Sequence, residues 1–482
     1  MNYKMMGKFI GNILMVEAVF MVPAMLISLW EAEFGAVTAF MWSLGALLLA
    51  AGGLMWLGRG CQKKFYAKEG LACVGLSWIA MSLLGCLPFF LSGVMPNYID
   101  ALFEIVSGFT TTGASILPAV EDVPKGILYW RSFSHWLGGM GVLVFLLAIS
   151  SSGGNGFTMH LLRAESPGPN VGKLVPKMKK TATILYLIYI LLTVLDVIFL
   201  LLGDMPLFEA VCTAFGTVGT GGFGVKNDSI AGYSPYIQNV CTVFMLLCGV
   251  NFSCYYLLLL RQVKSVFRDE ELRLYLGAVL GSVLLIVWNL RGFYDTLGET
   301  VRHAAFQVVT IITTTGFATT DYELWPGLSK AILLCLMILG ASAGSTGGGF
   351  KCGRALLVAK SLHRSVRQVV HPQKVEVVRL NGHPVDEKVL QNVNAYLAAY
   401  VIVTILSFLL VSLDGFSITT NLSAVFACFN NIGPGFEAVG PTCNYAAYSD
   451  FSKLVLTWDM LAGRLEIFPI LILATRSTWR HR

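Results

Sequence analysis

Four times along this chain a helix-length apolar run reaches a corner rich in Thr, Asn and Gly and then gives way to another apolar run. The corners are Thr110-Thr111-Thr112-Gly113, Thr220-Gly221-Gly222-Phe223, Thr313-Thr314-Thr315-Gly316 and Asn430-Asn431-Ile432-Gly433. In hydrocarbon, irregular backbone is tolerated only where protein buries it or where it lines a wet cavity. Four such corners are therefore expected to converge on one axis.

The flanking runs define the class. Of 482 residues, 55% are hydrophobic and only 13% charged, and the mean hydropathy is +0.69. Soluble proteins carry about 25% charged residues. Several runs exceed the ~20 apolar residues that cross a bilayer. They predict an all-α polytopic membrane protein with about ten spanning helices. The spans fall near residues 8–30, 35–57, 71–92, 132–151, 181–202, 236–260, 272–290, 326–350, 394–413 and 452–474. The first follows Lys4 and Lys8 and ends without a small-residue cleavage site, so it reads as a retained anchor.

Lys and Arg cluster in alternate loops, which places those loops and both termini in the cytoplasm. Lys63, Lys64, Arg163, Lys173, Lys177, Arg261, Lys264, Lys360, Arg364, Arg367, Lys374, Arg480 and Arg482 lie on that side. The net charge of +6 thus belongs to topology and not to a nucleic-acid surface. Acids such as Glu31, Asp122, Asp204 and Glu323 lie on the other side. They either concentrate cations at an entrance or are ordinary solvated loops. The 11 cysteines lie mostly within apolar runs, and their spacing gives no disulfide framework or zinc site.

An internal repeat organises the chain. Residues 101–113 (ALFEIVSGFTTTG) match 304–316 (AAFQVVTIITTTG) at a constant offset of 203, with seven of thirteen positions identical. The second and fourth copies are weaker but share the context of span, short amphipathic run, corner and span. The predicted unit is helix, pore helix, corner, helix, repeated four times around a central pore with four re-entrant loops. The divisions are a two-helix preface at 1–60, then repeats at 61–152, 153–265, 266–370 and 371–482.

A short run near 98–109 covers about 18 Å at 1.5 Å per residue, too little to cross. It can enter from outside and stop at mid-depth, with its negative C-terminal pole directed inward. Glycine at the corner accepts positive φ and lets carbonyls point to the axis. A ring of carbonyl dipoles replaces the water shell of a potassium ion without any carboxylate, and the corners contain none. For a single corner, a helix break or a tight packing site explains the same residues. Four corners in register with the topology favour a filter.

With these residues in hand, the chain resembles the membrane subunit of Trk-type potassium uptake systems, the TrkH/TrkG branch of the Trk/Ktr/HKT superfamily. The likeness rests on the four corners, on Trp136-Leu-Gly-Gly-Met-Gly141, on residues 340–351 (GASAGSTGGGFK) and on residues 460–466 (MLAGRLE). It runs essentially end to end. It implies filter positions at Thr111, Thr112, Gly113, Thr220, Gly221, Gly222, Thr314, Thr315, Gly316, Asn431, Ile432 and Gly433. In the second corner Gly219, Gly221 and Gly222 compete, and Phe223 favours Gly222, as Phe317 follows Gly316. One glycine per repeat implies a short filter that selects potassium with imperfect exclusion of sodium and passes rubidium.

Residues 339–349 lie inside one expected span, yet Gly347-Gly348-Gly349 costs a helix roughly 3 kcal/mol against alanine. The run marks either a helix broken at mid-membrane or a close helix contact. It lacks a phosphate-loop pattern, since no strand precedes it and Phe350 separates Gly349 from Lys351. The resemblance makes it a mobile intramembrane gate, comprising Gly340, Ser342, Gly344, Ser345, Thr346, Gly347, Gly348 and Gly349. Lys351 is either the inner end of the path or the first residue of a cytoplasmic loop. Arg464 falls within an expected span, where a charge is functional by default. Asp459 or Glu466 can neutralise it, and the resemblance places its charge in the permeation path. His135 reads as a packing residue rather than a proton relay. Gln307, opposite Glu104 in the repeat, argues that charge there is dispensable.

The resemblance also implies a bacterial inner-membrane location, a homodimer with one pore per protomer, and lipid as surroundings. It further implies a cytoplasmic TrkA-type regulatory subunit that binds NAD(H), ATP or ADP, docked on loops 152–180 and 351–390. Potassium is then cargo, and no cofactor belongs to this chain. The rival reading is a K+/H+ or K+/Na+ symporter with alternating access, which calls for two inverted halves. A membrane enzyme calls for catalytic groups at one depth, and the sequence offers none.

Overall fold

The computed structural model describes residues 2–60, 67–141, 178–373 and 376–479. These form a helical membrane bundle. Among them the only strands are the two-residue pair Arg379–Leu380 and His383–Pro384, an antiparallel hairpin with Leu380 opposite His383. Two N-terminal helices, Tyr3–Trp30 and Phe34–Leu57, pack on each other and expose Trp30, Trp42 and Leu49. They are apolar all round, as lipid-facing helices are.

Each of the four repeats contributes a long outer helix, a short helix and an inner helix. The outer helices are Ala67–Gly85 (continued by Leu87–Leu91), Met178–Leu201, Glu270–Asn289 and Glu387–Val411. The short helices are Tyr98–Phe109, Leu207–Val218, Leu297–Ile312 and Ile418–Phe429. Side-chain caps fix three of their starts: Asn97 accepts from Ile99 N–H, Thr296 from Glu299 N–H and Ser417 from Thr420 N–H. Such a cap is worth about 1 kcal/mol. The inner helices are Lys125–Gly139, Pro235–Cys248, Gly327–Leu339 and Asp450–Arg464. At 13 to 15 residues they are about 20–22 Å long, well short of the ~30 Å hydrocarbon core.

Packing is cyclic. Every short helix lies between its own inner helix and that of the preceding repeat, and the first lies against the fourth inner helix, Asp450–Arg464. The order around the bundle is therefore the order along the chain.

Several expected spans are corrected. Among the described residues six helices are long and apolar enough to cross a membrane, or seven if Pro235–Cys248 and Phe252–Leu259 count as one bent span. The span expected at 236–260 turns by 85° at its break, where Asn251 caps the second helix by accepting from Ser253 N–H. The one at 452–474 breaks at 465–467, where Glu466 and Ile467 take positive φ. The one at 326–350 ends as helix at Leu339. The span expected at 132–151 starts at Lys125 behind Pro124, and its residues 142–151 lie outside the described part. Also outside are most of the loop 152–180 and Lys63, Lys64, Lys374, Arg480 and Arg482.

Candidate cation pathway

The four corners share one backbone. Each short helix ends in a pair of closing bonds. Thr112 N–H donates to Ser107 O and Thr111 N–H to Gly108 O. The corresponding pairs are Gly221 to Gly216 with Thr220 to Thr217, Thr315 to Thr310 with Thr314 to Ile311, and Ile432 to Ala427 with Asn431 to Cys428. This is the Schellman closure, which needs a left-handed residue just past the helix. Thr111, Thr220, Thr314 and Asn431 fill that place, at φ of 56°, 54°, 57° and 57°. For a β-branched residue this is a true outlier, and such strain persists only where the surroundings over-determine it.

Two residues on, Gly113, Gly222, Gly316 and Gly433 take φ of 80°, 78°, 90° and 98°. Their contacts close a circle. A Cβ on Gly113 would lie 2.1 Å from Gly221 O, and one on Gly222 2.0 Å from Thr315 O. One on Gly316 would lie 2.2 Å from Ile432 O, and one on Gly433 2.6 Å from Thr112 O. Each glycine thus faces the carbonyl that precedes the glycine of the next corner. In the second corner Gly219 is the helix cap at φ −70°, and Gly221 backs onto the His135 ring. Only Gly222 of the three has positive φ.

Side chains brace the corners from behind. Thr110 Oγ1 and Thr112 Oγ1 lie 2.7 Å apart, and Thr313 and Thr315 repeat this at 2.8 Å. Asn431 Nδ2 donates to Thr112 Oγ1 at 3.0 Å and to Met460 O at 2.9 Å, joining the fourth corner to the first. Tyr445 O–H donates to Gly433 O at 2.7 Å. His135 Nδ1 lies 2.8 Å from Gly108 O, and Phe223 N–H donates to His135 Nε2 at 3.2 Å. A carbonyl can only accept, so Nδ1 carries the proton and the imidazole is neutral with both nitrogens engaged.

The glycine-rich segment packs under the third and fourth corners. Cβ atoms on Gly347 and Gly348 would lie 2.8 Å from Thr313 O and 2.5 Å from Asn430 O. Gly348 N–H donates to Thr314 Oγ1 at 2.6 Å, and Thr346 Oγ1 to Cys248 O at 3.3 Å. Ser342 N–H reaches Gly249 O, Phe252 N–H reaches Gly344 O, and Ser345 Oγ donates to Ser342 O. Gly340, Gly344 and Gly349 have positive φ. Lys351 is buried, and its ammonium donates to Gly347 O. It therefore belongs to the segment and is not the start of an exposed cytoplasmic loop.

Arg464 donates to Thr346 O at 2.7 Å, to Gly139 O at 2.8 Å and to Gly138 O. It ties the segment to the end of the first inner helix. Of the two acids near it in sequence, Glu466 is salt-bridged to Arg354 and also lies within electrostatic reach of Arg464, while Asp459 accepts from Ser407 Oγ at 2.6 Å.

Two further groups escape the sequence reading. Glu271 Oε1 accepts from both Ala343 N–H and Gly353 N–H, clamping the two ends of the segment. Arg131 is buried on the first inner helix and salt-bridged to Glu104 at 2.7 Å. The rule that flags Arg464 would also flag Arg131 once the helix start moves from 132 to Lys125. Nothing in the pattern around Glu271 distinguishes it from an ordinary first-turn acid.

The sequence profile of the TrkH family, described as cation transport protein, matches residues 37–289 and 295–480. The Trk system potassium uptake protein TrkH of Salmonella typhimurium is 36% identical over the whole of both chains. The Trk system potassium uptake protein TrkG of Escherichia coli K12 is 31% identical, covering 98% of this chain and 97% of its own. The crystal structure of the potassium transporter TrkH from Vibrio parahaemolyticus superposes with a TM-score of 0.89 at 30% identity, covering all of both chains. These are transport proteins and not enzymes. With end-to-end likeness in sequence and fold, this multi-pass membrane chain belongs to the TrkH family of cation transport proteins.

Proposed function

We propose that this protein is the potassium-conducting subunit of a Trk-type uptake system in a bacterial inner membrane, with both termini cytoplasmic. The observation that carries the reading is the closed circle of Gly113, Gly222, Gly316 and Gly433, each against the next corner's carbonyl. The filter is then lined by main-chain oxygens of Thr111, Thr112, Thr220, Gly221, Thr314, Thr315, Asn431, Ile432 and the four glycines. Carbonyls replace hydration water, so the ring favours a cation that sheds its shell readily. An inside-negative potential of 100 mV contributes about 2.3 kcal/mol per charge, roughly a fiftyfold gradient. Conduction alone then suffices for accumulation.

In this reading residues 340–351 are the gate and Arg464 holds it shut with a positive charge under the filter. The functional unit is a homodimer in lipid, regulated by a TrkA-type cytoplasmic subunit that carries the NAD(H), ATP or ADP site. Its docking surface includes the basic helix Cys352–Val370. The test is rubidium uptake into liposomes holding the purified chain. Uptake that follows an imposed voltage at channel-like rates supports a pore. Strict dependence on a proton or sodium gradient would replace it with the symporter.

Glu271 yields a prediction of its own. Hydrogen bonds to a charged acceptor are worth about 1.5–3 kcal/mol, and here one carboxylate oxygen takes two of them. Glu271→Gln keeps the shape and weakens both. Resting rubidium flux should rise several-fold at equal expression. Flux equal to that of the parent would remove Glu271 from the gate.

A further inference from the structure

The first repeat carries a buried charge pair at a place where the other three repeats have none. Glu104 lies nine residues before Gly113, and the matching residues are Thr213, Gln307 and Ala424. Arg131 lies seven residues after Pro124, the cap of the first inner helix. Counted from Ser234, Pro326 and Ser449, the matching residues are Cys241, Leu333 and Leu456. Both side chains are almost wholly buried, 3% exposed for Arg131 and 0% for Glu104.

Four bonds and one ring contact radiate from this pair to the strands that leave the first two corners. Arg131 donates through Nη1 to Gly224 O at 3.0 Å and through Nη2 to Ser115 Oγ at 3.1 Å. Its guanidinium carbon sits 3.5 Å from the centre of the Phe223 ring. Glu104 accepts from Ile116 N–H at 2.8 Å and from Ser115 Oγ at 2.9 Å. Gly224 is two residues past Gly222, and Ser115 is two past Gly113. One turn further along the same inner helix, His135 joins the Gly108 carbonyl to the Phe223 amide. A single helix face thus fixes the first corner to the second at two levels.

Stability alone does not account for the pair. Burying two charges costs several kcal/mol per ion, and well-packed apolar residues of similar volume are often as stable or more so. The third repeat has the uncharged Gln307 and Leu333 in their place. There Gln307 itself grips the strand weakly, its Nε2 reaching Thr320 O only at 3.5 Å and its Oε1 without a partner, and Ser229, Ile230, His303 and Tyr294 hold residues 318–320 instead. What the charged version adds is a planar fork that sets the spacing of two strands at once.

We propose that Glu104 and Arg131 are positioning residues that fix the separation of the first two corners and thereby set discrimination between potassium-sized cations and sodium. The inference rests on the carbonyl-ring reading above. Paired, the two carry no net charge and do not repel the permeant ion. They act through geometry.

The experiment copies the third repeat into the first. Glu104→Gln/Arg131→Leu in the full chain, reconstituted in liposomes, is compared with the parent for rubidium and sodium uptake and for thermal unfolding. The double variant should keep an unfolding temperature near the parent's and conduct rubidium, while its rubidium-to-sodium ratio falls about tenfold as the ring loses its fixed width. An unchanged ratio overturns the proposal and leaves a packing pair. Should the double variant fail to fold, Arg131→Lys keeps the charge and removes the fork. It should lower the ratio too, and an unchanged ratio there overturns the proposal equally. Absence of selective uptake in the parent would instead sink the filter reading.

Discussion

Gly113→Ala and Gly316→Ala should each abolish selective rubidium uptake while leaving the protein in the membrane. The added carbon would stand 2.1 Å from Gly221 O in the first case and 2.2 Å from Ile432 O in the second. Carbon and oxygen do not approach so closely, so the facing carbonyl must move. The positive φ at both sites adds roughly 1–2 kcal/mol of strain. Because the displaced atom is proposed to coordinate the ion, loss of uptake by about a hundredfold is expected, as for catalytic groups misplaced by 1 Å. Gly415 gives the control. It has φ of 75° but open space where a Cβ would go, so Gly415→Ala should cost stability and leave flux intact. Tracer uptake into liposomes, normalised to protein, decides. Near-parental uptake by Gly113→Ala would remove the circle from the ion's path.

Opening is expected when Arg464 is cut back. The guanidinium holds Thr346 in the segment and Gly138 and Gly139 at the end of the first inner helix. Arg464→Ala removes these bonds together with a cation proposed to stand in the path. Each bond to a charged donor is worth about 1.5–3 kcal/mol, so a rise in resting flux of at least tenfold is expected. Deleting residues 342–348 should do the same by a different route, since Gly347 and Gly348 lie against the third and fourth corners. Unchanged or lower flux in both variants at normal expression would mean that the segment is packing and not a gate. Arg464→Lys separates charge from geometry: it retains the positive charge but not the fork that spans three carbonyls.

Much of the bundle was legible because its determinants are local. Apolar length marked the outer helices, and amphipathic runs of a dozen residues marked the short ones. The caps at Asn97 and Ser417 that start two of them emerge from the structure. The inner helices were harder, since their ends are set by what they meet. A run such as 236–260 reads as one apolar span, and the 85° turn within it follows from Gly249 and the cap at Asn251. Placing the first inner helix at 132 hid Arg131 outside the membrane, although an intramembrane arginine is the clearest signal a sequence offers. In the second corner Gly219, Gly221 and Gly222 compete by composition; the parallel of Phe223 with Phe317 pointed to Gly222, and Gly222 is the one that turns left-handed. That depends on the Schellman closure two residues earlier. Glu271 was invisible because its partners are backbone amides 72 and 82 residues away.

A ring closed by one polypeptide differs from one assembled by four identical chains, where every substitution enters four times. Here each quadrant can drift alone. The fork of Arg131 grips the strands that leave the first and second corners, and Gly347 and Gly348 lie against the third and fourth. On the proposed roles, a change at the Arg131 fork would alter which ion passes and a change at Gly347 or Gly348 when it passes, each reaching the circle through different corners.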